Sequence, residues 1–494
     1  MSFNRRRFLQ HAAFSATAAA SLSRTEWIIA DEQPQSSSPN DKLGIACIGV
    51  GGRGGDHLGS FAGRSDVEVL YVCDADEGIG RSRQQDVEKR TGKQPKYVKD
   101  MRTVFDDPAV NCISTATPNH WHALTSIWAM QAGKDVYVEK PVSHNVWEGR
   151  QAVNAARSLG RICQCGTQSR SSSGLKEAVQ WVQEGNFGKI QYAIATCYKP
   201  RPSIGKLTEP LKIPENIDYD LWCGPAAKVD LFRPKLHYDW HWDFNTGNGD
   251  LGNQGIHQMD IARWFLGETQ LSPKIVSFGG RLGYDDAGNT PNTQIVMHSF
   301  DKAPLFFEVR GLPKAKEFQE NGWGDNMDVY RGSRVGVIVQ CETGYVVVPS
   351  YSEASAFSLD GEPVKQWKGG GDHYANFLQA VRSRKHEDLN ADILDGHLSS
   401  ALCHTGNISY QMGQMATAKV IADTLTSTPL LADSFDRMVA HLTANGVDVE
   451  EPVLHHGALL SMDPAIESFP GNEEASQRTT REYRKPYAVP EIKV

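Results

Sequence analysis

The chain has 494 residues, too many for one ordinary compact domain, and its 40% hydrophobic and 22% charged residues fit packed cores and exclude disorder throughout. A net charge of −8 with no lysine- or arginine-rich block argues against a nucleic-acid partner and for a small neutral or weakly polar ligand. Past the amino terminus no stretch has the unbroken apolar length of a membrane span.

Residues 1–30 place Arg5 and Arg6 ahead of Phe8, Leu9 and the mild apolar run HAAFSATAAASLS, the order of a twin-arginine export signal with cleavage near Ala30. The expectation is export by the twin-arginine machinery to the periplasm or beyond; a plain basic tail is the alternative. Residues 31–42 read as a polar linker. The nine cysteines, an odd number scattered through strand-like runs, read as buried thiols and not as a disulfide framework. Cys163 and Cys165 take alternating strand positions.

Residues 43–165 alternate strands and helices, which predicts a parallel doubly wound sheet. The run LGIACIGVGGRGG ends a strand at Gly49, and Gly49, Gly51 and Gly54 give G-x-G-x-x-G before a helical stretch expected from Asp56. Such glycines serve a tight turn, close approach to a pyrophosphate and helix packing. The next strand, VEVLYVCDAD, ends at Asp74, about twenty residues on, where a ribose-binding acid belongs. Asp74 favours NAD, while Arg81 and Arg83 keep NADP open. Arg53, inside the glycine run, joins the cofactor-binding set. Further helices are expected at 80–91, across HALTSIWAMQAG and at 154–159, with strands at NCISTATP, DVYVEKP and RICQCGTQ.

From residue 166 to 420 the pattern changes to runs such as KIQYAIATCYK, KIVSFGGR, PLFFEVRG and RVGVIVQCETGYVVVP, which predict an α+β domain with a large, mainly antiparallel sheet. Helices return after Pro349. Residues 421–494 read as a carboxyl-terminal extension, Pro- and charge-rich from Pro452.

In combination, GVGGRG, Asp74, ATPNHWH, VYVEKP and GDLGNQGIHQMD resemble the Gfo/Idh/MocA family of dinucleotide-dependent sugar and cyclitol oxidoreductases, over roughly residues 43–420. The resemblance implies an NAD(P)-dependent enzyme acting on a carbohydrate or polyol. It also implies pairing into a dimer or tetramer through the sheet of the second domain.

It assigns roles to particular residues as well. Lys140, in the Glu139-Lys140-Pro141 phrase, would lie beside the nicotinamide and the reacting hydroxyl, with Glu139 next to it and with Pro141 suited to a cis bond. Thr117, Pro118 and Asn119 would flank the nicotinamide. A helix from Asn253 to Phe265, stopped by Gly267, would present Asn253, His257 and Asp260 on one face. There His257 is expected to take the hydroxyl proton, because histidine titrates near neutrality, and Asp260 to orient it. Asn253 departs from the aspartate common in the family, and an amide cannot take a proton.

Trp240 and Trp242 are candidates to stack on a sugar, and His122 to touch the substrate, whereas Trp222 and Trp264 read as core. His120, His122, His237, His241 and His257 invite a metal, but without zinc-site spacing none is assigned. Two further readings stand beside the dehydrogenase. One is a glycoside hydrolase or isomerase working by transient oxidation with a tightly held cofactor, and the other is a nucleotide-binding protein without turnover, kept open by Asn253.

Overall fold

The computed structural model describes residues 42–320 and 322–493. The segment read as an export signal, and the linker up to residue 41, lie outside the described residues.

The first half is a six-stranded parallel sheet in the order β3-β2-β1-β4-β5-β6. Its elements are β1 (Leu43–Ile48), α1 (Gly52–Ala62), β2 (Val67–Cys73), α2 (Glu77–Thr91), β3 (Lys96–Val98), β4 (Cys112–Thr115), α3 (Asn119–Gln131), β5 (Asp135–Val138), α4 (Val146–Ser158) and β6 (Cys163–Cys165). Strand β1 is apolar on both sides because both faces are covered. Ile45 and Cys47 enter one core cluster, Ala46 and Ile48 another. The crossover order places the carboxyl ends of β1 and β4 side by side, where such sheets bind ligands.

Two helices begin earlier than their sequence suggests, for the same reason. Helix α1 starts at Gly52, not Asp56, despite its glycines; a Cβ on Gly54 would stand 1.9 Å from the Gly49 carbonyl oxygen, so tertiary packing and not propensity sets that turn. Helix α4 starts at Val146, capped by the Asn145 side chain on the Glu148 amide at 2.9 Å. Its interior Gly149 makes room for the His397 ring.

The second half is a mixed sheet of eleven strands ordered β14-β13-β12-β11-β7-β10-β9-β8-β16-β15, with β17 beside β8 and every pair antiparallel except β7 with β10. In chain order it comprises α5 (Ser173–Gln183), β7 (Ile190–Tyr198), α6 (Ile256–Leu266), β8 (Lys274–Gly280), β9 (Thr293–His298), β10 (Leu305–Arg310), β11 (Val335–Cys341), β12 (Gly344–Val348), β13 (Glu353–Ser358), β14 (Pro363–Lys368), α7 (His373–Ser383), α8 (Ile393–Gln411), β15 (Gln414–Ala416), α9 (Ala418–Thr424), α10 (Pro429–Ala444), β16 (Leu454–His456) and β17 (Leu460–Ser461). Alternate residues separate its faces. Leu305, Phe307 and Val309 meet α5, α6 and α8, whereas Phe306 and, on β7, Ile194 meet Phe435, Met438 and Leu442 of α10. The chain's own helices therefore cover the second face over β7 to β10.

Two segments return to the first half. Helix α7 packs Phe377 and Val381 against β1, and the final residues send Tyr487 and Val489 into the core beneath α3. The carboxyl-terminal extension, Pro- and charge-rich as it is, is thus a structural part of both halves.

The chain enters α6 through a π-helical turn, Leu251–Gly255, held by a buried ion pair. Arg201 Nε and Nη2 donate to the two oxygens of Asp250 at 2.7 and 2.6 Å, under the ring of Trp242. Asp250→Ala leaves that guanidinium buried without its counter-charge, a loss of about 3–5 kcal/mol. Denaturant unfolding beside the wild type checks this, and an unchanged midpoint would show that the pair does not hold the turn.

Candidate active site

A cleft of about 570 Å³ runs along the carboxyl ends of the parallel strands and under the second half. At one end the glycine turn opens onto it. Gly49 has φ +71 and lies too close to Thr117 for any side chain. Gly51 is different: only Ile79, at 4.0 Å, stands near the position of an added Cβ, and beside Gly52 nothing does. No protein atom requires glycine at these two cleft-lining positions, whereas the close approach of a phosphate group does. The amide end of α1 points to the same place, with the positive pole of a helix behind it.

Asp74 lines this end. Its carboxylate accepts from the amides of Val50 and Asp76 at 2.9 and 3.0 Å, which oppose but do not overcome the burial that raises its pKa. Arg81 lies over Tyr97 and Arg83 is spent on the Val50 carbonyl and Asp86, so neither lines the cleft as a 2′-phosphate would need. Both ends of this fit favour NAD.

Lys140 lines the cleft as well. Its peptide bond to Pro141 is cis, and Lys140 Nζ donates to the Asn253 carbonyl at 2.6 Å across the cleft. Burial lowers its pKa; the Glu139 charge opposes this, and Arg53 and Lys199 add to it. Glu139 itself is a buried carboxylate clamped by Arg53 at 2.9 Å, His57 at 3.1 Å and Gln168 at 3.2 Å. Burial works against its charge, yet the His57 hydrogen bond and Arg53 hold it well below the usual carboxylate range. A Cβ on Gly166 would collide with this carboxylate, so the adjoining turn is glycine for the sake of the clamp.

His257 and Asn253 both line the cleft beside Lys140, one turn apart as their spacing requires. The expected titration of His257 near neutrality is corrected. Burial, with Lys140 nearby, pushes it down to about 3, so this ring stays neutral at physiological pH. It rests against Tyr351, ring centroids 4.9 Å apart.

Asp260 does not itself line the cleft; it is 1% exposed within α6 and accepts from Arg170 Nε at 2.9 Å and Ser399 Oγ at 2.7 Å, so its hydrogen bonds go to these two side chains and not to His257. Trp242 likewise is buried over Arg201, whereas Trp240 remains on the wall. His122 sits on the wall with both ring nitrogens already facing carbonyls, Pro141 at 2.5 Å and Thr117 at 2.7 Å, and so ties the two loops together in place of touching substrate. Thr117, Pro118 and Asn119 line the cleft, and Asn119 donates to the Asn248 side chain at 2.9 Å.

Sequence reasoning missed several lining residues. Trp222, read as core, lines the cleft, as do Gln168, Tyr351, Met101, Arg102 and Tyr487. His241, weighed only as a metal ligand, stacks on Trp240 at 3.6 Å. No motif marks these positions; only the Trp-His-Trp crowding at 240–242 offered a signal. Among the described residues no cluster of His, Cys, Asp or Glu could hold a metal ion.

Residues 43–167 match the family model described as an oxidoreductase family with an NAD-binding Rossmann fold, and residues 197–337 match its C-terminal alpha/beta domain, together more than half of the chain. A levoglucosan dehydrogenase of Pseudarthrobacter phenanthrenivorans is 25% identical over 36% of this chain and 38% of its own length. A glycosyl hydrolase family 109 protein of Shewanella pealeana is 29% identical over 40% and 46%. A scyllo-inositol 2-dehydrogenase (NAD(+)) of Bacillus subtilis is 29% identical over 30% and 42%. The chain therefore spans less than half the length of these curated relatives. Two solved structures share the fold. One is a levoglucosan dehydrogenase with NADH and levoglucosan (TM-score 0.54, 17% identity, 74% of this chain and 98% of that one). The other is the WlbA dehydrogenase of Bordetella pertussis with NADH and UDP-GlcNAcA (TM-score 0.52, 18% identity, 73% and 94%).

Gly51→Ala tests the cofactor end. With space available for the added carbon, the melting temperature stays at the wild-type value while NAD affinity falls about tenfold or more, roughly 1.4 kcal/mol, by calorimetric titration.

Proposed function

We propose, from the premise that the chain belongs to the Gfo/Idh/MocA family of NAD-binding oxidoreductases, that it moves hydride between a hydroxyl-bearing carbon of a sugar or polyol and NAD. The observation that carries this reading is Lys140, a lysine with a lowered pKa held across the cleft from the glycine turn by the Asn253 carbonyl. When bound, the nicotinamide supplies the hydride acceptor or donor.

The chain's residues supply the rest. Lys140 Nζ, brought toward its neutral form by burial, takes the hydroxyl proton as the carbon is oxidised and returns it in the reverse direction. His257 holds the same hydroxyl through a neutral ring, too weak a base to keep the proton itself. Trp240 and Tyr351 offer ring faces to the apolar side of a sugar. Levoglucosan and inositol dehydrogenases among the relatives support this substrate class. Residues 1–30 support the accompanying proposal of twin-arginine export.

Lys140→Met lowers kcat for oxidation by about 100- to 10,000-fold, the scale of a lost general base, while NAD affinity and melting temperature hold. In the wild type kcat/KM for oxidation rises with pH as Lys140 loses its proton, with the inflection below the ordinary lysine value. His257→Gln keeps that inflection, because the ring does not titrate in the range. An inflection that vanished in His257→Gln and survived in Lys140→Met would exchange the two roles.

The glycosyl hydrolase family 109 relative favours a second reading of the same site, in which oxidation is transient and the hydride returns after a glycosidic bond is cleaved. Incubation with aryl glycosides and no added nucleotide separates the two. Aglycone release without lasting reduction of nicotinamide supports the second, and substrate-dependent accumulation of NADH supports the first.

A further inference from the structure

The adenosine end of the cleft is walled by chain from outside the parallel sheet. Residues 204–236 cross in front of β2, where the Glu77 amide donates to the Asn216 carbonyl at 3.0 Å and the Asp218 amide to the Ala75 carbonyl at 3.0 Å. The Asn216 amide reaches Asp76 at 2.8 Å, and His237 reaches the other oxygen of Asp76 at 2.9 Å. From the opposite side come residues 479–492, pinned by the Trp147 amide on the Thr479 carbonyl at 2.9 Å and the Ile492 amide on Gln151 at 2.6 Å. The two segments are tied to each other. Arg484 donates to the Asp220 carboxylate and carbonyl, both at 2.6 Å, and to the Gly224 carbonyl at 3.0 Å. Tyr487, 3% exposed, is wedged edge-on against Trp121 with the Arg102 guanidinium 5.7 Å above its ring, and both Tyr487 and Arg102 line the cleft.

We propose that these segments form a collar that holds the adenosine half of NAD, with Tyr487 and Arg102 contacting the adenine, so that the dinucleotide stays on the protein between turnovers. Asp74 fixes the ribose position at the end of β2, and the chain that bridges Asp76 to residues 216–218, joined through Asp220 to Arg484, passes over the route by which the adenosine would leave. A purine stacks on a guanidinium plane and packs edge-to-face against an aromatic ring. Release then requires the Arg484 latch to open, and release slows by the cost of opening it. The inference rests on the NAD-binding reading and needs nothing of the substrate.

The test uses the full chain loaded with NADH. After gel filtration in nucleotide-free buffer, bound nucleotide is counted per chain, and its dissociation rate is read from NADH fluorescence on mixing with excess NAD. The wild type keeps close to one NADH per chain through filtration, and Arg484→Ala releases it about tenfold faster or more with an unchanged circular dichroism spectrum. Tyr487→Ala removes the contact together with part of the latch, because Tyr487 Oη donates to Asp220 at 3.4 Å and Arg484 lies over its ring at 4.9 Å, and it raises the dissociation constant as well as the rate. Asp220→Asn opens the same latch from its other side and serves if Arg484→Ala fails to fold. Wild-type protein that empties during filtration, or latch variants that release at the wild-type rate, would overturn the collar. Neither result bears on Lys140, whose role is read from turnover alone.

Discussion

Among the hydrogen bonds that join the two halves of the cleft, the one from Lys140 Nζ at the end of β5 to the carbonyl of Asn253 in the turn entering α6 places the lysine. For it to form, both ends have to be fixed before any ligand arrives. On the β5 side the Glu139 carboxylate, gripped by Arg53, His57 and Gln168, also accepts from the Lys140 amide at 3.2 Å and fixes the backbone from which the lysine leaves. On the α6 side the Arg201–Asp250 pair and close glycine packing hold a π-helical turn, a form that recurs at functional sites because it re-aims backbone groups. A Cβ at Gly252 would meet Asn248, and one at Gly255 would meet Phe307, which accounts for the glycine crowding there.

Charge around this bond is arranged by burial more than by pairing. Glu139 stays charged but is paired within its clamp, and Asp260, another acid of the region, is hydrogen-bonded to Arg170. What faces the reacting end is therefore Lys140 with neutral rings: His257 and His241, both pushed down to about 3 chiefly by burial. A low-dielectric wall of this kind strengthens each remaining polar contact and lowers the pKa of the lysine from its ordinary value.

The parallel sheet was legible in the sequence because its strands are covered on both faces and so read as unbroken apolar runs, while the glycine turn and Asp74 stand at spacings set by the dinucleotide itself. The strands from β7 to β12 were legible for a similar reason. Illegible parts share a different cause, in that they depend on partners far away in the chain. Helix α1 begins at glycines of poor helix propensity because Gly49 lies against Gly54, and α4 carries Gly149 because His397 comes from beyond residue 390. His257 and Asp260 share a helix face by spacing, yet Arg170 and Ser399, both distant in sequence, draw Asp260 into the core. Tyr487 and Tyr351 reach the cleft from segments with no motif. The role of the tail beyond Pro452 was illegible because its few apolar residues are spaced for existing cores and not for one of its own.

Asn253 changes the chemistry through what it lacks. The Lys140 contact is to a backbone carbonyl, so it survives any side chain at 253, and the geometry of the site is indifferent to the exchange of the aspartate that the resemblance places there for an amide. The electrostatics are not. A carboxylate beside Lys140 would favour its charged form and offset the burial that lowers its pKa. With an amide in that place, the opposing charge named for Lys140 is Glu139, already committed to Arg53 and His57, while Arg53 and Lys199 push the other way. An amide at 253 thereby leaves the lowered pKa of Lys140 without the offset a neighbouring carboxylate would add, and under the proposed function it is consistent with turnover, not evidence against it.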